Sequence, residues 1–257
     1  NGRVELIAPD GQIASIWGSP NPGPTVLLRP VDMAFDAGGN GYVLDTARSR
    51  VVVFDRATAR PSLQFGQVGS GPGQMLAPQA ITIAPDGTVW ITDSGNNRIV
   101  HFSAAGSYIG QFATGDQPRG IALSPDGRTL YYAETEGARL WAFDVTGPGA
   151  IDRMPWPSPN GGRMIAAAPG GHYQRFDSMA VDSFGNACVA TLLHGGITVI
   201  APDGSLASHV PLPDPYTTNL CFGGPDLRTV FVTLSGTGRL IAIDDWPVPG
   251  LKLNFNA

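Results

Sequence analysis

Short runs of alternating apolar and polar residues, broken by glycine-containing turns, recur along the whole chain. Five segments read as the same pair of strands joined by a turn: RPVDMAFDAGGNGYVLD from Arg29, APQAITIAPDGTVWITD from Ala77, QPRGIALSPDGRTLYYAE from Gln117, RFDSMAVDSFGNACVAT from Arg175 and YTTNLCFGGPDLRTVFVT from Tyr216. Each opens on a polar or proline-containing corner, continues as a short alternating strand, turns, and ends in a β-branched or aromatic strand. The matching apolar positions Met33, Ile81, Ile121, Met179 and Leu220 lie 48, 40, 58 and 41 residues apart. Periods of that size belong to propeller blades. No stretch carries a 3.6-residue apolar period, which excludes helical repeats.

A third strand follows each pair, at Arg50, Arg98, Arg139, Gly196 and Arg239, and a sixth copy, RVELIA, starts at Arg3 without a pair before it. QIASIW (12–17), YIGQFA (108–113) and LASHVP (206–211) read as fourth, outer strands. The pattern predicts an all-β fold: a β-propeller of six blades of four antiparallel strands, the first incomplete, in a single domain spanning 1–257. LKLNF (251–255) would close the ring at the incomplete blade, where exposed strand edges invite a homodimer. Five blades with loose ends is the other count. Pro-Asp-Gly at 85–87, 125–127 and 202–204 supplies hairpin turns. Two insertions, 18–28 and 146–174, break the regularity; long loops in compact domains tend to be functional or mobile.

Composition narrows the partners. Apolar residues make up 42% and charged residues 14%, enough for a core, and the net charge of −5 argues against a nucleic-acid partner. No apolar run approaches the ~20 residues of a membrane helix. Asn1 to Asp10 carries no signal-peptide pattern, so a cytoplasmic location is expected. Cys188 and Cys221 sit in apolar strands without metal-binding spacing and read as buried free thiols.

In a propeller the chain runs outward through four strands, so the blade-to-blade connections share a face with the turns between second and third strands. The corner before each inner strand opens on that face and holds Val31 and Asp32, Gln79, Arg119, Asp177, and Thr218 with Asn219. The second strands end there too, at Asp45, Asp93, Glu134 and Thr191, and His172 and His194 stand in adjoining connections. This set of carboxylates, one Arg, two His and amides suits a pocket for a polar small molecule. Asp45, Asp93 and Glu134 recur at one place in the repeat, where a carboxylate can tie a turn. Asp177 departs from its aligned positions and marks a site. Arg119 is either a substrate anchor or the partner of Asp177. Asp177 and His194 are the candidate catalytic residues; Arg119, Gln79, His172, Glu134 and Asn219 are the candidate substrate contacts.

SPDGRTLYYAETEGARLWAFD (124–144), RFDSMAVDSFGNACVATLLHGGITVIAPDG (175–204) and TTNLCFGGPDLRTVFVTLSGTGRL (217–240) resemble the senescence marker protein (regucalcin), gluconolactonase and luciferin-regenerating enzyme family. GQMLAPQAITIAPDGTVWITDSGNNRIVHFSAAG (73–106) is similar to NHL-type blades. The resemblance implies a six-bladed propeller with one divalent cation, Ca²⁺ or Zn²⁺, at the channel mouth, where sugar lactones and related esters are hydrolysed. It implies ligands from a Glu of the first inner strand, an Asn at a middle blade's corner and an Asp of the next blade. The Asp matches Asp177; the Asn position falls on Arg119, and the Glu would precede Asn1. Three readings follow: a metal-assisted lactonase-type hydrolase, a non-catalytic propeller scaffold with a degenerate metal site, and a metal-free enzyme using Asp177, His172 or His194. No Gly-x-Ser-x-Gly elbow supports covalent catalysis.

Overall fold

The computed structural model describes residues 2–8, 11–18, 26–169 and 173–253. The chain divides into two compact units, Asn1–Phe112 with Leu253–Ala257, and Ala113–Lys252. In the first unit β1 (Val4–Ile7) and β2 (Ile13–Trp17) form an antiparallel hairpin. β3 (Pro30–Phe35), β4 (Gly41–Asp45), β5 (Arg50–Phe54) and β6 (Pro61–Phe65) form a four-stranded meander. A short parallel pair, β7 (Gln67–Val68) and β8 (Gln74–Met75), leads to a second meander of β9 (Ala80–Ile83), β10 (Val89–Asp93), β11 (Arg98–Phe102) and β12 (Tyr108–Ala113).

The second unit holds three sheets. β13 (Pro118–Leu123), β14 (Thr129–Glu134) and β15 (Arg139–Gly147) are extended by β16 (Ala150–Asp152) and β17 (Arg163–Ala167), which both pair with β15. The insertion at 146–174 thus supplies this sheet's outer strands. β18 (Arg175–Val181), β19 (Ala187–Leu192), β20 (Gly196–Ile200) and β21 (Leu206–Pro211) form a regular meander, and β22 (Thr217–Gly223), β23 (Thr229–Leu234) and β24 (Arg239–Ile243) a three-stranded one.

Among the described residues the architecture is an all-β propeller with five blades, not the expected six. The RVELIA copy pairs only with β2 among those residues, as a two-stranded hairpin. Val4, Leu6 and Trp17 of that hairpin pack with Val43, Val52 and Phe54 of the next sheet. Trp17 lies so close over Gly41 that a Cβ there would stand 2.1 Å from the ring. Of LKLNF, residues 251–253 form no strand, and 254–255 lie outside the described residues.

Middle strands β4, β5, β10 and β11 are buried at every residue, because both faces of these sheets are covered. This is why VVVF and VWIT read as continuous apolar runs rather than alternating ones. The cores lie between neighbouring sheets. Leu44, Val51, Phe65, Ile91 and Phe102 fill the first unit. Phe176, Val189 and Leu140 fill one layer of the second, and Ile197, Val230, Val232 and Trp246 the other. At ~25 cal/mol per Å² of apolar surface, these layers are the main stabilising term.

Each Pro-Asp-Gly segment forms a turn closed by a bond from the glycine N–H to the carbonyl three residues back: Gly87 to Ala84 and Gly127 to Ser124, both 2.9 Å, and Gly204 to Ala201, also 2.9 Å. The glycine φ values of +84°, +69° and +87° require a residue free to enter the left-handed region. Proline presets the turn's second position, and the Asp accepts the N–H two residues on.

The last sheet has one uncovered face. Phe231 is 37% and Leu240 61% exposed there, and Cys221, paired in register with Phe231, shares that exposure. Neither cysteine forms a disulfide, as expected, but only Cys188 is buried. The apolar character of the Cys221 strand comes from Leu220 on its other face, which packs against the preceding sheet.

Candidate active site at the bulged blade corners

The corner residues share one local device. In β3 the register jumps from Pro30↔Asp45 to Asp32↔Leu44, leaving Val31 out of the ladder. β13 jumps from Pro118↔Glu134 to Gly120↔Ala133, leaving out Arg119. β22 jumps from Thr217↔Leu234 to Asn219↔Thr233, leaving out Thr218. In β18 both Asp177 and Ser178 fall between Phe176↔Thr191 and Met179↔Val189. A bulge bends the strand and re-aims the extra side chain. Residues of alternating strands that should follow the pleat are thereby turned away from it.

In the second unit these bulges bring Arg119 and Asp177 together from adjacent inner strands. The Arg119 Nη1 lies 3.5 Å from Asp177 Oδ1, with the arginine side chain 38% exposed and the carboxylate nearly buried. Gly120 makes the approach possible: a Cβ there would stand 2.7 Å from the Asp177 carbonyl. Burial pushes the Asp177 carboxyl up to about 6, and the Arg119 charge pulls against that rise. One strand further on, Ser178 Oγ donates to Asn219 Oδ1 at 2.7 Å. Thr218 Oγ1 lies 3.0 Å from Thr233 Oγ1 and 2.7 Å from Ser235 Oγ. Three successive corners therefore present a guanidinium, a carboxylate and a cluster of hydroxyl and amide groups.

Glu134 has different surroundings. Its Oε2 accepts from Trp141 Nε1 at 2.7 Å and its Oε1 from Arg139 Nη1 at 3.3 Å. Gly115 and Gly137 close around it, each leaving no room for a Cβ. Asp45 and Asp93 pair with the corresponding arginines of their blades and also hold backbone. Asp45 accepts from the backbone N–H groups of Leu28 and Arg29 and pairs with Arg50. Asp93 accepts from the Leu76 N–H and Asn96, and pairs with Arg98 at 2.6 Å. These two aspartates fasten the incoming chain to the end of the second strand.

His194 is exposed, and its ring centroid lies 4.7 Å from that of His209 on β21. His209 Nδ1 lies 3.1 Å from Thr198 Oγ1, and burial together with His194 holds its pKa below the usual histidine value. Gln79 belongs to the first unit, where its Nε2 donates to the Ala77 carbonyl. His172 lies outside the described residues. The structure thus joins Arg119 with Asp177 and sets Asn219 on the next inner strand, bonded to Ser178. It places Glu134 and His194 in other contacts.

Two further residues are interaction centres: Asp32, placed at a corner by the sequence without a role, and Asn160, which the sequence did not single out. Asp32, also at a bulged corner, accepts from the Met33 N–H and, across to the next inner strand, the Ile81 N–H, both at 2.9 Å. Burial raises its carboxyl to about 7. Asn160 is buried at the heart of the 153–162 loop. It donates to Tyr132 Oη at 2.5 Å and accepts from the Gly162 N–H at 2.8 Å.

A divalent cation does not fit the described residues of this corner. Arg119 stands where the resemblance implies an amide ligand; it has no lone pair to donate and carries a fixed positive charge beside Asp177. Among the described residues no three His, Cys, Asp or Glu side chains converge, whereas a hard cation takes six or more oxygens.

The chain is similar to several known proteins. A 6-deoxy-6-sulfogluconolactonase of Pseudomonas putida is 28% identical over 168 residues, 64% of this chain and 54% of that protein. Human NHL repeat-containing protein 3 is 28% identical over 155 residues, 55% of this chain and 44% of that one. The chain spans about half the length of these curated relatives. A gluconolactonase structure from Xanthomonas campestris superposes with TM-score 0.65 at 25% identity, covering 85% of this chain and 71% of that one. Residues 76–102 match the NHL repeat. Residues 113–236, which carry Arg119, Asp177 and Asn219, match the SMP-30/Gluconolactonase/LRE-like region.

Proposed function

We propose that the protein is a lactonase-type hydrolase that opens the ring of a small sugar lactone or a related ester. The observation that carries this reading is the Asp177 carboxylate, turned out of the ladder by a bulge and held beside a guanidinium. With its carboxyl at about 6, Asp177 is ionised at neutral pH yet basic enough to take a proton from water. The hydroxyl and amide groups of Ser178, Thr218 and Asn219 suit the hydroxyls of a sugar-derived ring. The sulfogluconolactonase and gluconolactonase relatives support the substrate class.

The test is hydrolysis of small aldonolactones, followed by acid release in weakly buffered solution. Asp177→Ala is expected to lower kcat by 10²–10⁴-fold, the range for loss of a general base. Turnover unchanged in that variant, in a protein whose circular dichroism matches the parent, refutes the role. A second reading, a non-catalytic binding propeller, draws on the NHL repeat at 76–102. Absence of turnover across a panel of aldonolactones favours it.

A further inference from the structure

We infer that Arg119 does the electrostatic work of a divalent cation in this protein, so that lactone opening at Asp177 proceeds without a metal ion. This rests on the lactonase reading above and assigns Arg119 as the second catalytic residue. The bulge in β13 removes Arg119 from the ladder, and its position is that of an implied metal ligand. Its head lies 3.5 Å from Asp177 while 38% of the side chain stays exposed, so part of the guanidinium is within reach of a ligand. Guanidinium carries five N–H donors in a planar fork and stays charged at every working pH. A donor aimed at an oxygen that becomes negative in the transition state lowers the barrier, as a Lewis acid does.

The reaction then balances without a co-reactant. Water is deprotonated by Asp177 as its oxygen bonds to the lactone carbonyl carbon. The carbonyl oxygen becomes an oxyanion held by Arg119 N–H groups. The oxyanion collapses, the ring C–O bond breaks, and the proton returns from Asp177 to the departing ring oxygen. The product is an open-chain hydroxy acid. Asp177 serves first as base and then as acid, and Arg119 gains or loses no proton.

The experiment compares the chelator-treated protein with and without added Ca²⁺ or Zn²⁺, by D-glucono-1,5-lactone turnover and by calorimetric titration of each ion. The expected result is equal turnover in both and no saturable ion binding. Arg119→Gln is expected to lose 10²–10³-fold in kcat with little change in KM, the size of one oxyanion donor. Arg119→Lys, which keeps the charge but not the fork, should retain an intermediate rate. Turnover that needs added cation, or saturable binding abolished by Asp177→Asn, overturns the inference while leaving the lactonase reading intact. Folded Arg119→Gln with parental kcat also overturns it. No turnover with or without cation overturns both.

Discussion

Asp93→Asn is the sharpest perturbation of the fold, because it removes a charge and little volume. Asp93 is fully buried, its Oδ2 is 2.6 Å from Arg98 Nε, and the arginine side chain is 9% exposed. The same carboxylate accepts from the Leu76 N–H at 2.6 Å and from Asn96 Nδ2 at 2.7 Å. In the variant one carboxylate oxygen becomes an NH₂, which meets the donors of Arg98 or Asn96 head-on, and the guanidinium loses its counter-charge. Breaking one side of a buried pair costs about 3–5 kcal/mol. Carbonyls of Ser70, Gly71 and Gln74 still hold the Arg98 guanidinium, so the lower end, about 3 kcal/mol, is expected. Arg139→Ala is the comparison: its partner Glu134 is buried, but Arg139 is 46% exposed and 3.3 Å away. That pair is screened by solvent and should cost less than about 1 kcal/mol. Urea unfolding followed by circular dichroism measures both. Hydrogen exchange should place the Asp93→Asn loss in β9–β12. A difference between the two variants below about 1 kcal/mol refutes the claim that the buried carboxylate tie fastens this blade.

Two further outcomes test separate parts of the molecule. Asp32 has a folded pKa of about 7 against 3.8 when unexposed to burial, so the folded state favours its protonated form. Its contribution to stability is full below pH 4 and is lost as pH rises through 7, by up to about 4 kcal/mol before solvent screening. Thermal melts from pH 5 to 8 should show the parent losing ground to Asp32→Asn, and parallel curves refute this. Asn160→Ala removes the acceptor of the Gly162 N–H and the donor to Tyr132. Trypsin should then cut faster at Arg153 and Arg163, with unfolding of the other blades unchanged; an equal cleavage rate counts against Asn160 as the loop's organiser.

Much of this fold is local and therefore visible in the chain. The inner strands centred on Met33, Ile81, Ile121, Met179 and Leu220 fall in β3, β9, β13, β18 and β22. The fourth strands fall where QIASIW, YIGQFA and LASHVP stand. One tie was also present as a spacing: Asp45 and Arg50, Asp93 and Arg98, and Glu134 and Arg139 are each five residues apart. An acid ending one strand and an arginine opening the next meet across the turn. The bulges at Arg119 and Asp177 are not a property of either strand alone. They arise from the register of two strands, so spacing within one strand cannot reveal them. Asn160 was obscure for a similar reason, since its partner Tyr132 lies 28 residues earlier. The blade count differed because RVELIA and QIASIW pair with each other as a separate hairpin among the described residues.

The carboxylate ties have a consequence for how such a chain can change over time. Asp45 binds the N–H groups of Leu28 and Arg29, and Asp93 that of Leu76, each on the segment that leads into its own sheet. Asp214 likewise receives the N–H groups of Tyr216 and Thr237 within its sheet. These three fastenings are each carried inside one repeat of about 40–50 residues, consistent with near-neighbour energetics in repeat folds, whereas Asp32 reaches across to the Ile81 N–H of the next. A copied or deleted repeat takes its own carboxylate fastening with it, and only bonds such as Asp32 to Ile81 and Ser178 to Asn219 are cut at its borders. Blade number can then drift in descent at little cost to the repeats that remain, while a pair such as Arg119 and Asp177, shared by two repeats, binds those two to be inherited together.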